Sequence, residues 1–191
     1  TYTLHTGPAT NPLNVSGSWP GGQTVINHIS YHDPGDGGGP RLWIGGNNYS
    51  TTPRAGYVQE YNPTTLAFIR SHTTIQQWSE GGAWRPDTNE FWVCYDSKAS
   101  TNWQVSKYTY ASNTLTRVGE VDLTGSSFES GSRYHNGAYW YDATTLFVTI
   151  HDGTRPLSME VYEYSPGGGT FNLIQKVKVP TRQCSEGLCK L

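Results

Sequence analysis

The sequence predicts an all-β fold, a β-propeller-type array of about three four-stranded antiparallel blades. Three observations carry this expectation. A strand–turn–strand phrase recurs along the chain, the composition favours short strands joined by turns, and helical periodicity is absent. Among 191 residues there are 22 Gly, 11 Pro, 13 Tyr and 7 Trp. Gly and Pro serve turns, and aromatic side chains suit a pleated, half-buried surface.

In chain order, residues 1–24 are rich in Gly, Pro and Asn and read as an extension able to lend one strand ("TYTL") to a neighbouring blade. Residues 25–75 form the first repeat, with an inner half "NHISYHDPGDGGGPRLWIGGN" and an outer half "YVQEYNPTTLAFIRSHTT". Residues 78–125 form the second, "EGGAWRPDTNEFWVCYD" followed by "VSKYTYASNTLTRVGEVDLT". Residues 133–180 form the third, "NGAYWYDATTLFVTIHD" followed by "MEVYEYSPGGGTFNLIQKVKV".

Each inner half is a short strand, a turn holding an Asp (Asp33, Asp87, Asp142) and an apolar strand. Asp suits such turns because its carboxylate accepts local backbone hydrogen bonds. Each outer half is two strands about a turn, with Tyr61, Tyr110 and Tyr164 aligned before it and Leu66, Leu115 and Phe171 after it. The matching positions Trp43, Trp92 and Phe147 read as core. The period is roughly 50 residues, the range of propeller blades. A β-sandwich is the competing architecture, but it has no reason to repeat its sequence.

Residues 181–191, with "CSEGL", repeat the opening of the second unit and read as the start of a fourth repeat or a connector. Closed rings hold roughly 4 to 8 blades. Three repeats are therefore expected to be completed by another chain or to belong to a larger ring, which makes a second copy the expected partner.

Charged residues are 15% of the chain and the net charge is −2, with no basic stripe. There is no electrostatic case for a nucleic-acid partner. No apolar run approaches the ~20 residues of a membrane span. A first residue other than Met fits a removed signal peptide or a cloned fragment alike, and the glycosylation-acceptor triplets at Asn14 and Asn48 tilt the expectation toward a secreted protein at an extracellular, cell or virion surface. Cys94 lies in an alternating apolar strand and reads as a small buried hydrophobe. Cys184 and Cys189 can form a disulfide only across a turn, since an extended spacing separates them by ~17 Å.

The first residues of the innermost strands are expected at one mouth of a central channel. They are Asn27, Glu80, Asn136 and Glu186. Carboxylates and amides converging there suit Ca²⁺ or Mg²⁺. They equally suit the hydroxyl groups of a sugar, or hydrogen bonds to neighbouring backbone. Trp84 and Trp103 join this ligand-binding set as rings able to stack on a sugar. Asn47, Asp96 and Asp152 recur at the end of the second strand and read as turn initiators or loop-borne binding residues. No nucleophile elbow is present, so no catalytic residue is assigned.

"EGGAW...NEFWVCYD" resembles the E-G-P-x-W...L-Y-x-x-D phrase of the SMP-30/gluconolactonase family, and "HNGAYWYDATTLFVTIHD" resembles its P-N-G...D-x-x-x-L-Y-x-x-D phrase. Gly82 stands where that family has Pro, and His135 replaces another Pro. The resemblance implies a six-bladed propeller holding a divalent cation in its channel, with Glu80 and Asn136 as metal ligands. Two functional expectations follow. The first is a non-catalytic extracellular or surface module, without a cofactor, that binds carbohydrate, self-assembles as a structural subunit, or does both. The alternative is a lactonase- or esterase-type hydrolase dependent on a divalent metal such as Ca²⁺.

Overall fold

The computed structural model describes residues 24–48, 55–74, 79–86, 88–95, 104–124, 134–151 and 158–178. Every regular element among them is a strand. The first four are β1 (Thr24–His32), β2 (Arg41–Asn48), β3 (Ala55–Tyr61) and β4 (Phe68–Thr74). Next come β5 (Ser79–Trp84), β6 (Glu90–Tyr95), β7 (Gln104–Ala111) and β8 (Thr114–Thr124). The last four are β9 (Tyr134–Trp140), β10 (Thr145–His151), β11 (Ser158–Ser165) and β12 (Thr170–Lys178). The segments 1–23 and 179–191, with Cys184 and Cys189, lie outside the described residues.

Each group of four strands is an antiparallel meander, in which consecutive strands are hydrogen-bonded neighbours. Local chemistry sets the turns. Asp142 accepts from the Thr144 and Thr145 amides, each at 2.8 Å, and Asp33 accepts from the Gly35 amide at 2.9 Å. Asn62 accepts from the amides of Thr64 and Thr65 at 2.9 Å. Ser112 and Asn113 both have positive φ, 49° and 64°, so β7 and β8 are joined by a two-residue turn of the type whose twist matches the strands.

The sheets are not three separate blades. The first meander stands alone as β1-β2-β3-β4, while the second and third join into one eight-stranded sheet, β5-β6-β7-β8-β12-β11-β10-β9. The junction is a short parallel pairing of Phe171 with Leu123 and Asn172 with Thr124. An edge strand offers unpaired backbone groups, and here the two outer edges satisfy each other. At its other ends the same sheet brings β5 against β9, so it curls into a nearly closed, barrel-like form.

Two aromatic cores fill the spaces between meanders, and they are built alike. Trp43 on β2 packs against Trp84 (ring centroids 4.7 Å) and Tyr110 (5.3 Å) of the second meander. Trp92 on β6 packs against Trp140 (5.8 Å) and Tyr164 (5.2 Å) of the third. Edge-on and tilted rings of this kind add to the burial of large apolar area. Arg85 ties the second junction by donating to the Ala143 carbonyl (2.8 Å) and lying over the Tyr164 ring. Asn89 ties the first by donating to the Pro34 carbonyl at 2.8 Å. Cys94 is buried in the second core, where burial pushes its thiol up to about 12.

The strand pairing corrects one alignment. Leu42 pairs with Tyr61, Phe91 with Tyr108 and Leu146 with Tyr162. Tyr61 is therefore equivalent to Tyr108 and Tyr162, two residues earlier than the turn-proximal Tyr110 and Tyr164. The first meander turns sooner at Asn62–Pro63, since Pro cannot donate to a continuing ladder.

Candidate functional site

The inner strands β1, β5 and β9 share an irregularity. The β1–β2 register shifts between Ile26 and His28, which makes Asn27 the extra residue. The β5–β6 register shifts between Ser79 and Gly81, around Glu80. The β9–β10 register jumps from Gly137 to His135, around Asn136. Three of the four residues expected at the mouth thus occupy β-bulges at equivalent positions. A bulge leaves its residue out of the ladder, bends the strand and redirects a side chain, and bulges are over-represented beside functional sites.

Two of these bulges are brought together. A Cβ on Gly81 would lie 2.7 Å from the Gly137 Cα and 3.0 Å from the Ala138 amide nitrogen, so the backbones of β5 and β9 touch one residue beyond Glu80 and Asn136. Only glycine permits such an approach. Gly81→Val is expected to cost about 1–3 kcal/mol in urea melts, because the added atoms meet backbone that cannot rotate away. A stability unchanged from the parent would show that β5 and β9 do not meet there.

β1 approaches β5 differently. His28 holds the position of Gly81 and Gly137, pairing with Gly45 as they pair with Cys94 and Thr149. Its ring fills the space over Gly45 and lies against Gly82 and Phe91. His28 is 8% exposed, and among the described residues neither ring nitrogen has a hydrogen-bond partner. Burial lowers its pKa from 6.5 to about 4.

The remaining expected residues are placed as follows. Trp84 belongs to the core, 7% exposed, stacked on His32 (4.1 Å) and against Trp43 and Phe91. Asn47 is fully buried near the end of β2. Trp103, Glu186, Asp96 and Asp152 lie outside the described residues.

A second polar constellation, absent from the sequence-based set, sits beside the first core. Glu60 on β3 is fully buried. Arg41 Nη1 stands 2.7 Å from Glu60 Oε2, close enough for ion pairing although the angles are not those of a hydrogen bond. Arg41 donates to the Tyr110 hydroxyl (2.7 Å) and, through Nη2, to both oxygens of Asp36 (2.8 and 2.6 Å). His72 Nδ1 accepts from the Leu115 amide at 3.4 Å, which leaves Nε2–H to donate to Glu60 at 2.5 Å.

Burial pulls the Arg41 pKa down, but Asp36, Glu60 and Tyr110 outweigh it and raise it overall. Burial alone would raise Asp36; the Gly38 amide, Arg41 and Tyr110 instead bring its carboxyl below the usual range. Tyr110 is raised, first by burial and then by Glu60. The network links β2, β3, β4 and β7, and every carboxylate in it is engaged. Its chemistry is that of a structural clasp between the first two meanders. The available signal was charge inside apolar strands, Arg41 beside "LWIGG" and Glu60 between "YVQ" and Tyr61.

No family model matches the chain. Over 95 residues, 48% of its length, the chain is 30% identical to choline O-acetyltransferase of Drosophila melanogaster. The chain spans 13% of the length of that relative.

Proposed function

We propose that this chain is a non-catalytic β-propeller-type binding module of an extracellular, cell or virion surface, with a carbohydrate held where Asn27, Glu80 and Asn136 emerge. The observation that carries this reading is the recurrence of a bulge at all three residues. Each residue is an amide or a carboxylate, and each is released from its ladder where the inner strands converge. Amides both donate and accept, while a carboxylate accepts through two oxygens, which matches the paired donor and acceptor character of sugar hydroxyls. Against catalysis, Glu60 and Glu90 are spent on ion pairs with Arg41, Arg85 and Lys107.

The same donor set supports a second reading. One carboxylate beside two amides fits, in kind, the oxygen preference of Ca²⁺. Glu80 and Asn136 would hold such an ion, which would supply Lewis-acid polarisation of a lactone or ester carbonyl. The similarity to choline O-acetyltransferase covers too little of that protein to carry acetyl transfer to this chain.

A glycan array followed by calorimetry tests the first reading. Glu80→Gln and Asn136→Ala are each expected to weaken binding by about tenfold, the loss of one or two hydrogen bonds, with the melting temperature held. An array without a bound glycan refutes it. Binding abolished by EDTA, with a lowered melting temperature restored by Ca²⁺, would favour the second, because a ligand of the native state stabilises it.

A further inference from the structure

We infer that two copies of this chain dock head to tail, the face around Phe147 in each receiving the face around Tyr31 of the other. The inference shares the propeller-type arrangement proposed above but needs no ligand at Glu80.

The contact is already made twice within one chain. Trp43 on β2 is covered by Trp84 of the next meander, and Trp92 on β6 by Trp140 of the one after. Strand pairing identifies the third member of each series. Trp84 pairs with Phe91, Trp140 with Leu146 and Tyr31 with Leu42, so Tyr31 is the first meander's counterpart of Trp84 and Trp140. Trp84 and Trp140 are 7% and 2% exposed, whereas Tyr31 is 65% exposed. Ile29, equivalent to Ala138 (8%), is 63% exposed. Ile44 and Tyr61 on that face are already buried, so the open part is the Ile29–Tyr31 end.

The opposite face completes the match. Phe147 occupies the place of Trp43 and Trp92, which are fully buried, but is itself only half-buried. It is flanked by the Tyr139 and Tyr141 rings at 6.4 and 5.7 Å. Across the ladder from Trp43 and Trp92 stand the charged Glu60 and Lys107, whereas Phe147 faces Val161. The third meander therefore presents an apolar version of this face, suited to Tyr31 and Ile29, which carry no charge. Exposed aromatic patches of this kind mark interaction sites.

The two faces differ, so the contact is heterologous and must either close a ring or run on as a filament. Closed rings hold roughly 4 to 8 four-stranded sheets, and six is the multiple of three in that range. Two copies meet that condition, each supplying the three meanders of its described residues.

Sedimentation equilibrium of the 191-residue chain tests this. The expected mass is twice the 21.1 kDa of one chain. Tyr31→Glu and Phe147→Glu should each weaken dimerisation by roughly thirtyfold or more, as for a hot-spot residue. Tyr31→Ser is the milder variant should the first fail to fold, and far-UV circular dichroism checks each. Mixing the two Glu variants should give a 1:1 dimer, because one copy keeps an intact Phe147 face and the other an intact Tyr31 face. A monomer at every concentration overturns the inference. So does a mixture that forms no complex while either variant alone still dimerises, since that behaviour belongs to a face meeting itself. Glycan binding by the monomeric variants reports separately on the ligand reading.

Discussion

Arg41→Ala is expected to destabilise the protein by about 3–5 kcal/mol in urea unfolding followed by tryptophan fluorescence. The side chains of Glu60 and Arg41 are 0% and 5% exposed, and the two charges stand 2.7 Å apart. Removing the guanidinium takes the nearest cation from a carboxylate that water cannot reach, and the Tyr110 hydroxyl and Asp36 lose their common donor. The cost exceeds that of a surface ion pair, which is worth about 0–1 kcal/mol, because desolvation has already been incurred. Tyr110→Phe removes one hydroxyl and keeps both charges, and should cost only about 1 kcal/mol. The double variant Arg41→Met, Glu60→Gln should recover much of the loss, since the buried charge goes with its partner. A single Arg41→Ala variant within about 1 kcal/mol of the parent would mean that His72 and Arg70, the latter 3.4 Å from Glu60, hold the carboxylate unaided.

The all-β class and the short strands were legible because their signals are local. Alternation in "EFWVCY", Asp at the turns and "SN" before Thr114 act within a few residues. What escaped the sequence depends on contacts between distant segments. The parallel pairing of β8 with β12 needs only Leu123 opposite Phe171 and Asn172 opposite Thr124, and no sequence periodicity encodes it. The two-residue offset of Tyr61 was hidden because Tyr stands before the turn in every repeat. Only the ladder reveals which Tyr faces Leu42.

The candidate site divides in the same way. Asn27, Glu80 and Asn136 could be found from repeat alignment, because a bulge at one point in a repeating strand recurs with the repeat. Their bulged geometry could not, since a bulge is a property of pairing. Trp84 reads in the sequence as a ring able to stack on a sugar, but its partner Trp43 lies far away in the chain, so its burial is a fact of tertiary structure. The Arg41–Glu60–Tyr110 network joins three strands through hydrogen bonds as distant as 69 residues along the chain. In the sequence Arg41 and Glu60 are isolated charges in apolar strands, and nothing local pairs them.

Acidification is expected to weaken the protein through His28. Its pKa in the folded state, about 4, lies below the value of 6.5 for a free imidazole, and burial is the cause. Above pH 6.5 the ring is neutral in both states, and folding is not penalised. Between pH 6.5 and 4 the unfolded chain takes up a proton that the folded chain refuses, so stability falls as pH falls. The full loss amounts to about 3 kcal/mol, at 1.36 kcal/mol per pKa unit. Below pH 4 both states are protonated and the loss from this group is complete.

The geometry explains the refusal. The ring sits over Gly45 and beside Phe91 and Gly82, and among the described residues neither nitrogen has a partner to receive a proton's charge. His28→Leu removes the titration while keeping an apolar filler. The measurement is the difference in unfolding free energy between parent and variant at pH 7.5 and pH 4, in which the groups common to both proteins cancel. That difference should shift by about 3 kcal/mol in favour of the variant at the lower pH. Parallel pH curves would show that His28 charges freely and is not seated against Phe91 and Gly82.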